Sequence, residues 1–400
     1  MKESNKGLSA IQKIFWLLDQ VSQVHFSMAA ELNIVETKTA WQSALKALQD
    51  RHPFLSAYIN GDQTDPVFKF TTGTEIPLRY VKAAHNTRWE TEVETELATP
   101  FDWSKAPLIR ATLIEFPGKS ILILSSHHAV ADGLSMSFLF RDLFQALAGS
   151  TLTPLPIPGS AEDFFGLDVK ALRSAPVPEN KRLPERRTEK RPFVESITLT
   201  TELTERIVMR ARQENVTVNA VLCAAFLLAG RNISDKWKNE AVKLVVPASN
   251  RSGLQMGETC GMYIQDKAVT FSPVQQDFWE LAEQVRKETT GLDTPEQAKA
   301  FTETICPLVF GDLDNQAISD ILQSGIAREY MVSNLGRIAY DPDFGAFQMT
   351  GLWGPIALSG YTGDQTIGIC TIQNRIHLLH VSRIPLSGLL SQLVVILDKL

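Results

Sequence analysis

The chain has 400 residues, of which 44% are hydrophobic and 21% are charged, and its formal net charge is −6. This is the composition of an ordinary globular protein, so collagen-like, fibrous and disordered classes are excluded. The acidic balance argues against nucleic acid as the main partner, and the length favours two subdomains rather than one.

The sequence carries no pattern of a secreted or membrane protein. The first residues, MKESNKGLSAIQKIFWLL, lack the long apolar stretch and small-residue cleavage site of a signal peptide. The longest apolar run, 216–230, is shorter than a membrane span. The cysteines form no CxxC pair, which argues against a zinc ribbon or a redox motif. We therefore expect a cytoplasmic protein with free thiols and no transmembrane segment.

Apolar periodicity predicts the elements of the first half in chain order. An amphipathic helix opens the chain around 11–18, and a second helix covers 41–48 and ends near Pro53. Two neighbouring strands follow at 108–116 and 120–126, joined by a Pro-Gly-Lys turn. After Gly133 the apolar spacing becomes helical again, so a strand, a short loop and a helix follow one another here.

A change in composition separates the two halves of the chain. Seven prolines interrupt residues 151–193, and 180–191 holds six basic residues against two acidic ones. This segment is typical of a crossover linker. In the second half, apolar patterns predict further elements. These are helices at 203–212, 218–228, 278–288 and 389–400, and strands at 242–246, 330–333 and 367–372.

Two adjacent histidines, His127 and His128, close the second predicted strand and precede Asp132 and Gly133. A buried structural histidine is one interpretation. A metal site is another, but adjacent side chains on an extended segment point to opposite faces, so both rarely reach one ion. A serine nucleophile at Ser125 or Ser126 lacks the elbow sequence such serines need. The remaining interpretation is a histidine general base, and the pattern does not say which of the two histidines it would be.

The segment HHAVADG, residues 127–133, resembles the HHxxxDG signature of the condensation-domain superfamily. That superfamily includes nonribosomal peptide condensation domains, polyketide-associated acyltransferases, chloramphenicol acetyltransferase and plant BAHD acyltransferases. Other segments resemble its LSxxQ helix, its RHxxLR segment with Ser56 where arginine is usual, its arginine-bearing strand end and its SNLG segment. These segments are LSAIQ at 8–12, RHPFLS at 51–56, PASNR at 247–251 and SNLG at 333–336.

The resemblance implies an α/β fold of two chloramphenicol-acetyltransferase-like subdomains, arranged in a V around a central tunnel. On this chain we expect an N-terminal acyltransferase subdomain at 1–150, the Pro-rich linker at 151–193 and a C-terminal subdomain at 194–400. The second histidine, His128, would stand at the centre of the tunnel as general base, with His127 beside it facing the core. Asp132 would form a structural ion pair, for which Arg251 is the best candidate.

The resemblance also implies donors for the oxyanion of the tetrahedral intermediate. The backbone N–H of Gly133 is one candidate, and the side chains of Ser333 and Asn334 are others, for acceptor contacts as well. In the sequence, Gly133 is also interpreted as a residue that permits a backbone geometry other residues resist.

The expected activity is that of a stand-alone acyltransferase. Its donor would be acyl-CoA or an acyl-carrier protein, and its acceptor a small alcohol or amine, with ester formation favoured by the SNLG likeness. No metal and no cofactor beyond the thioester substrate are expected, and a monomer is sufficient. The basic run at 181–191 could attract the donor, or it is a solvated linker. Two alternatives stay open: an amide-forming stand-alone condensation enzyme, and a non-catalytic module that binds a carrier protein.

Overall fold

The computed structural model describes residues 5–61, 66–84, 86–173, 190–274, 276–325, 327–358, 360 and 363–400. The strands are β1 Lys6–Gly7, β2 Phe26–Leu32, β3 Ala57–Asn60, β4 Val67–Phe70, β5 Leu78–Lys82, β6 Ile109–Phe116, β7 Lys119–Ser126, β8 Phe193–Thr198, β9 Val242–Ser249, β10 Ile264–Phe271, β11 Tyr330–Arg337, β12 Met349–Ala357, β13 Gln365–Ile372 and β14 Arg375–Ser382.

The helices are α1 Ala10–Val21, α2 Lys38–Arg51, α3 Trp89–Ala98, α4 Gly133–Leu147, α5 Ala161–Phe165, α6 Thr201–Gln213, α7 Val218–Ile233, α8 Asp235–Asn239, α9 Phe278–Thr289, α10 Pro295–Phe310, α11 Asn315–Gly325 and α12 Leu389–Leu397. Most of the basic run at 180–191 lies outside the described residues, which resume at Lys190. Short 3₁₀ turns at Pro53–Ser56 and Val169–Leu172 complete the description.

The first half is built on a five-stranded sheet in the order β12-β2-β7-β6-β5. Its strands pair antiparallel except β5, which runs parallel to β6. In β7, every residue after Lys119 is buried, as its continuous apolar run predicts. Helices α2 and α4 pack together. A short loop of six residues connects the end of β7 to the start of α4. The predicted strand–loop–helix order is therefore confirmed.

The second half is built on a six-stranded mixed sheet in the order β10-β9-β11-β13-β14-β8. Helix α7 is the most deeply buried helix of this half and packs against α9 and α12. The sequence prediction that β9 stops at Pro247 is wrong, because the strand continues to Ser249. Beyond Val245, β9 pairs with β10 alone, and a proline is tolerated where a strand has an open side.

Strand β12 connects the two sheets in a way that periodicity did not predict. It follows β11 of the second half along the chain, yet it pairs antiparallel with β2 of the first half. It passes so close to β13 that a Cβ atom on Gly368 would overlap the carbonyl oxygen of Pro355. Only a residue without a side chain fits this crossing.

Two α/β halves, each with its own sheet, confirm the predicted fold class. The subdomain boundaries at 150 and 193 stay a prediction. In the described part of the chain, no helix taken singly is long and apolar enough to span a membrane. Helices α6 and α7 reach that length and composition only as a pair that is bent by 106°.

Replacing Gly368 by alanine should destabilise the protein by more than about 2 kcal/mol, because the added methyl overlaps backbone that cannot yield easily. Urea unfolding of the variant measures this. Gly325→Ala is the matched control, since a Cβ atom there meets nothing within 4 Å. We expect that control to lose no stability. An equal, small effect in both variants would contradict the close crossing of β12 and β13.

Candidate active site

The loop 127–132 carries the histidine pair between the end of β7 and the start of α4. The backbone N–H of His127 still donates to the carbonyl of Leu108 at 2.9 Å, so this residue extends the sheet ladder by one step. The chain then turns, and the N–H of Val130 donates to the carbonyl of His127 at 3.1 Å. His128 is therefore the first residue released from the sheet.

The side chain of His127 is fully buried in the first half and holds the loop from inside. Its Nδ1 accepts a hydrogen bond from the backbone N–H of Ala129 at 3.1 Å. Its Nε2 lies 3.7 Å from Oδ2 of Asp19, at the end of α1. The structure thus separates the two histidines: His127 faces the core of the first half, and His128 does not.

The imidazole of His128 lies between two phenyl rings where the two halves meet. Its centroid is 4.1 Å from that of Phe15, which stacks on it, and 4.4 Å from that of Phe26. Its Nδ1 is 3.4 Å from the sulfur of Met262, a residue of the second half. The side chain is 8% exposed. The sequence did not single out Phe26 or Met262, since neither is close to the motif along the chain.

This packing sets the protonation of His128. Burial lowers its pKa from the ordinary 6.5 to about 4, and the nearby Asp132 carboxylate offsets only part of that effect. An imidazole cannot be charged in this apolar surrounding at low cost, so it is neutral at pH 7. It is then in the form that accepts a proton.

The structure brings Asp132 and Arg251 together as a buried ion pair between residues 119 apart in the chain. Nη2 of Arg251 donates to both carboxylate oxygens of Asp132, at 2.8 and 3.0 Å. Nη1 donates to the carbonyls of Gly257 and Thr259, at 3.2 and 2.8 Å. The pair joins the loop that carries His128 to the loop that follows β9.

Asp132 has further contacts that make it a structural residue. It is the N-cap of α4, and its Oδ1 accepts from the N–H of Ser135 at 2.7 Å. Its Oδ2 accepts from the N–H of Tyr263 at 3.0 Å. The Ser135 hydroxyl in turn contacts Arg251 and Gly261. With four N–H contacts on its two oxygens, the carboxylate is fully engaged by backbone and guanidinium donors.

Gly133 is needed for a reason other than the predicted one. It does not adopt a positive φ, so the expected backbone freedom is wrong as an explanation. A Cβ atom there would lie 2.5 Å from Cγ of Pro355 and 3.0 Å from Cδ2 of Leu335. The first turn of α4 is thus packed against β12 and against the SNLG segment of β11.

Ser333 and Asn334 lie in β11, half-buried, opposite Gly368 and Ile369 of β13. Oδ1 of Asn334 accepts from the N–H of Gly336 at 2.8 Å, which shapes the irregular end of the strand. Leu335, which follows Asn334, is the residue of this segment that packs against the start of α4.

Two other motifs position the site from a distance. Ser9 and Gln12 of the LSAIQ segment form a reciprocal capping box, which fixes the start of the helix that carries Phe15. His52 and Arg51 both hydrogen-bond to Asp142 of α4, at 2.8 and 2.6 Å. Burial alone would raise the pKa of Asp142, but the hydrogen bond from His52 and the nearby Arg141 charge lower it to about 2.

Neither the serine nor the metal interpretation gains support from the contacts. The Ser125 hydroxyl lies 2.7 Å from that of Ser27, and the Ser126 hydroxyl donates to main-chain carbonyls. Within the described ranges, no three His, Cys, Asp or Glu side chains gather in a way that could hold a metal ion.

Two narrow clefts open beside Met262, and each encloses room for about one water-sized group. Met262 and Tyr263 line both of them. Because the Met262 sulfur also contacts His128, this side chain lies between the clefts and the imidazole.

Residues 2–160 match the family model described as Condensation domain. Nonribosomal peptide synthetase 5 of Gibberella zeae is 30% identical over 168 residues, which cover 40% of this chain and 2% of that protein. Tyrocidine synthase 3 of Brevibacillus parabrevis is 25% identical over 301 residues, 68% of this chain and 4% of its own length. The chain thus spans a small fraction of the curated relatives it matches.

Solved structures share the fold over the whole chain. The first condensation domain of the CDA synthetase aligns with a TM-score of 0.71 at 17% identity, covering 99% of this chain and 96% of that one. Polyketide synthase associated protein 5 from Mycobacterium tuberculosis aligns with a TM-score of 0.66 at 17% identity, covering 99% and 98%. The family match over residues 2–160 and the shared fold confirm the resemblance to the condensation-domain superfamily.

Removing the guanidinium in Arg251→Ala should cost about 3–5 kcal/mol of stability, because it leaves the Asp132 carboxylate buried without its counter-charge. Urea unfolding gives the value. The control is Arg337→Ala, since Arg337 is exposed and donates to Asn374 at the surface. Its loss should stay below about 1 kcal/mol. Similar losses in the two variants would show that the buried pair does not hold the loop.

Acid should destabilise the fold between pH 6.5 and about 4. Burial lowers the pKa of four histidines to about 4: His25, His128, His377 and His380. Since the unfolded chain takes up these protons near 6.5 and the folded chain does not, the stability they contribute is complete above 6.5. It falls by up to about 1.4 kcal/mol per pH unit for each group as the pH drops toward 4. Unfolding free energies at pH 7, 6 and 5 measure the slope, and a flat profile would refute this account of the buried histidines.

Proposed function

We propose that this chain is an acyltransferase that moves an acyl group from a thioester to an alcohol or amine acceptor, with His128 as general base. The observation that carries the proposal is the placement of His128. It is neutral, it lies where the two halves meet, and its loop is fixed by the Asp132–Arg251 pair. Catalysis in such a site consists of positioning and base assistance.

In the proposed reaction His128 accepts the proton of the acceptor as its oxygen or nitrogen attacks the thioester carbonyl. The new C–O or C–N bond forms, and the C–S bond then breaks. The proton passes from the imidazolium to the leaving thiolate, so the free thiol and the neutral imidazole are restored. No covalent bond to the enzyme is required, and no cofactor beyond the thioester substrate takes part.

The oxyanion of the intermediate requires hydrogen-bond donors. The backbone N–H of Gly133 is the leading candidate, because it belongs to the first residue of α4 and the N-terminal end of a helix favours negative charge. Ser333 remains a candidate from β11. Asn334 is the weaker one, since its Oδ1 already accepts from Gly336.

Substrates reach His128 in this proposal when one of its covering side chains moves. Phe26 belongs to a sheet strand, whereas Phe15 and Met262 lie on a helix and a loop. Methionine is unbranched and repacks easily, so Met262 is the side chain we expect to yield. Because both halves of the site come from one chain, a monomer suffices.

Formation of an amide is the second candidate. One of the curated relatives named above is a nonribosomal peptide synthetase, which favours an amine acceptor and an acyl-carrier protein as donor. The SNLG likeness at 333–336 favours an alcohol and an ester. The mass of the product distinguishes the two.

The test is thioester consumption with acyl-CoAs and acylated carrier proteins in the presence of a panel of alcohols and amines. His128→Ala should reduce acceptor-dependent release of thiol by about 10²–10⁴-fold while the protein stays folded. The matched control is His377→Gln, which changes another buried histidine far along the chain, in β14, and should keep the activity. Unchanged turnover in His128→Ala would contradict the role of this base. Binding of an acylated carrier without turnover would instead identify a non-catalytic module.

A further inference from the structure

The larger of the two clefts beside Met262, which we call the Glu162 cleft, has mostly apolar walls. They come from α1, α10 and the loop after β9, and their residues are Ile11, Leu254, Phe301 and Ile305. The enclosed part of the cleft has room for about one water-sized group, which is also the size of an ammonium head group. Since Met262 lines it and also contacts His128, a molecule held there lies one side chain away from the imidazole.

Three buried polar side chains line this apolar cleft, and one of them, Thr302, donates its hydroxyl to the carbonyl of Ala298. Glu162 is 6% exposed and Asn250 is 3% exposed. Among the described residues, Oε2 of Glu162 and Oδ1 of Asn250 have no hydrogen-bond partner. Leaving two acceptors buried and unpaired is costly, so the arrangement points to a group that enters the cleft and donates to them.

The carboxyl group of Glu162 and the backbone of Asn250 are held by contacts that do not involve these two oxygens. Oε1 of Glu162 accepts from the N–H of Ala10 at 2.7 Å, which fixes the carboxyl group against the start of α1. The backbone of Asn250 is fixed on both sides, since its N–H donates to Tyr263 at 3.0 Å and its carbonyl accepts from Leu254 at 3.0 Å.

The charge of the cleft selects the kind of donor. Its described lining residues include the carboxyl group of Glu162 and no lysine, arginine or histidine. A protonated amine offers up to three N–H donors, carries the charge complementary to a carboxylate and forms the stronger, charge-assisted hydrogen bond, so it is the donor that suits these acceptors best.

We infer that the Glu162 cleft binds an ammonium group of the acceptor substrate and so holds the acceptor beside His128. This inference rests on the proposed transfer reaction. The ammonium group is not the reacting one: the acceptor carries it together with a separate hydroxyl or neutral amine that reaches the imidazole. The substrate class is therefore an amino alcohol or a diamine.

The first experiment measures binding to the full chain without any turnover. Ligand-observed NMR with n-butylammonium is compared with butyltrimethylammonium, which has the same charge and no N–H donor. Wild-type protein should bind the first probe more tightly than the second. Equal binding of the two probes would overturn the inference, because unpaired acceptors then select no donor.

Variants connect this binding to the two side chains. Glu162→Gln keeps an oxygen for the N–H of Ala10 but replaces the free acceptor by an amide, and it should weaken n-butylammonium binding at least about tenfold. Asn250→Asp adds negative charge of the same shape and should strengthen it. No change in either variant would overturn the inference.

A third variant separates this inference from the proposed function. His128→Ala should bind n-butylammonium as the wild type does while losing transfer. If every transfer assay fails and the Glu162-dependent binding persists, the reaction is wrong and the ammonium site stands. If transfer proceeds equally with amino alcohols and with plain alcohols of the same length, in the wild type and in Glu162→Gln, the site is wrong and the reaction stands.

Discussion

The Asp132–Arg251 ion pair is the contact on which the site depends. It crosses between the halves of the chain, caps α4 and holds the loop after β9 in one set of bonds. A buried charge pair needs hydrogen-bond partners for its remaining polar atoms, and here both carboxylate oxygens and both terminal nitrogens of Arg251 have them, although Nε of Arg251 has none. These bonds hold the loop that carries His128, and they occupy both carboxylate oxygens of Asp132 with N–H donors.

The second constraint is the apolar environment in which this loop places the side chain of His128. Phe15, Phe26 and Met262 leave little of the imidazole open to water, and burial keeps it neutral. The same low-polarity surrounding makes the unpaired oxygens of Glu162 and Asn250 significant, because a polar atom in such a place needs a partner. His128, the side chains that cover it and the Glu162 cleft all lie where the two halves of the chain are in contact.

Local features of the fold were predictable from the sequence. Apolar spacing located α1, α2, α4 and α7, and the histidine motif located the loop after β7. Long-range features were not predictable in this way. Strand β12 joins the sheet of the other half, and Met262 meets His128 across 134 residues. Gly133 was singled out correctly but for the wrong reason, because its neighbours Pro355 and Leu335 come from distant strands that no local pattern reveals.

The most direct test of this account is an NMR titration of His128 in the full chain without ligand, with ¹³C-labelled histidine and the His128→Gln variant for assignment. We predict a neutral imidazole at pH 7 and a pKa of about 4, because the ring is enclosed between Phe15, Phe26 and Met262. A pKa of about 6.5, the value of an exposed histidine, would contradict it, since the loop would then not be packed at the contact between the halves.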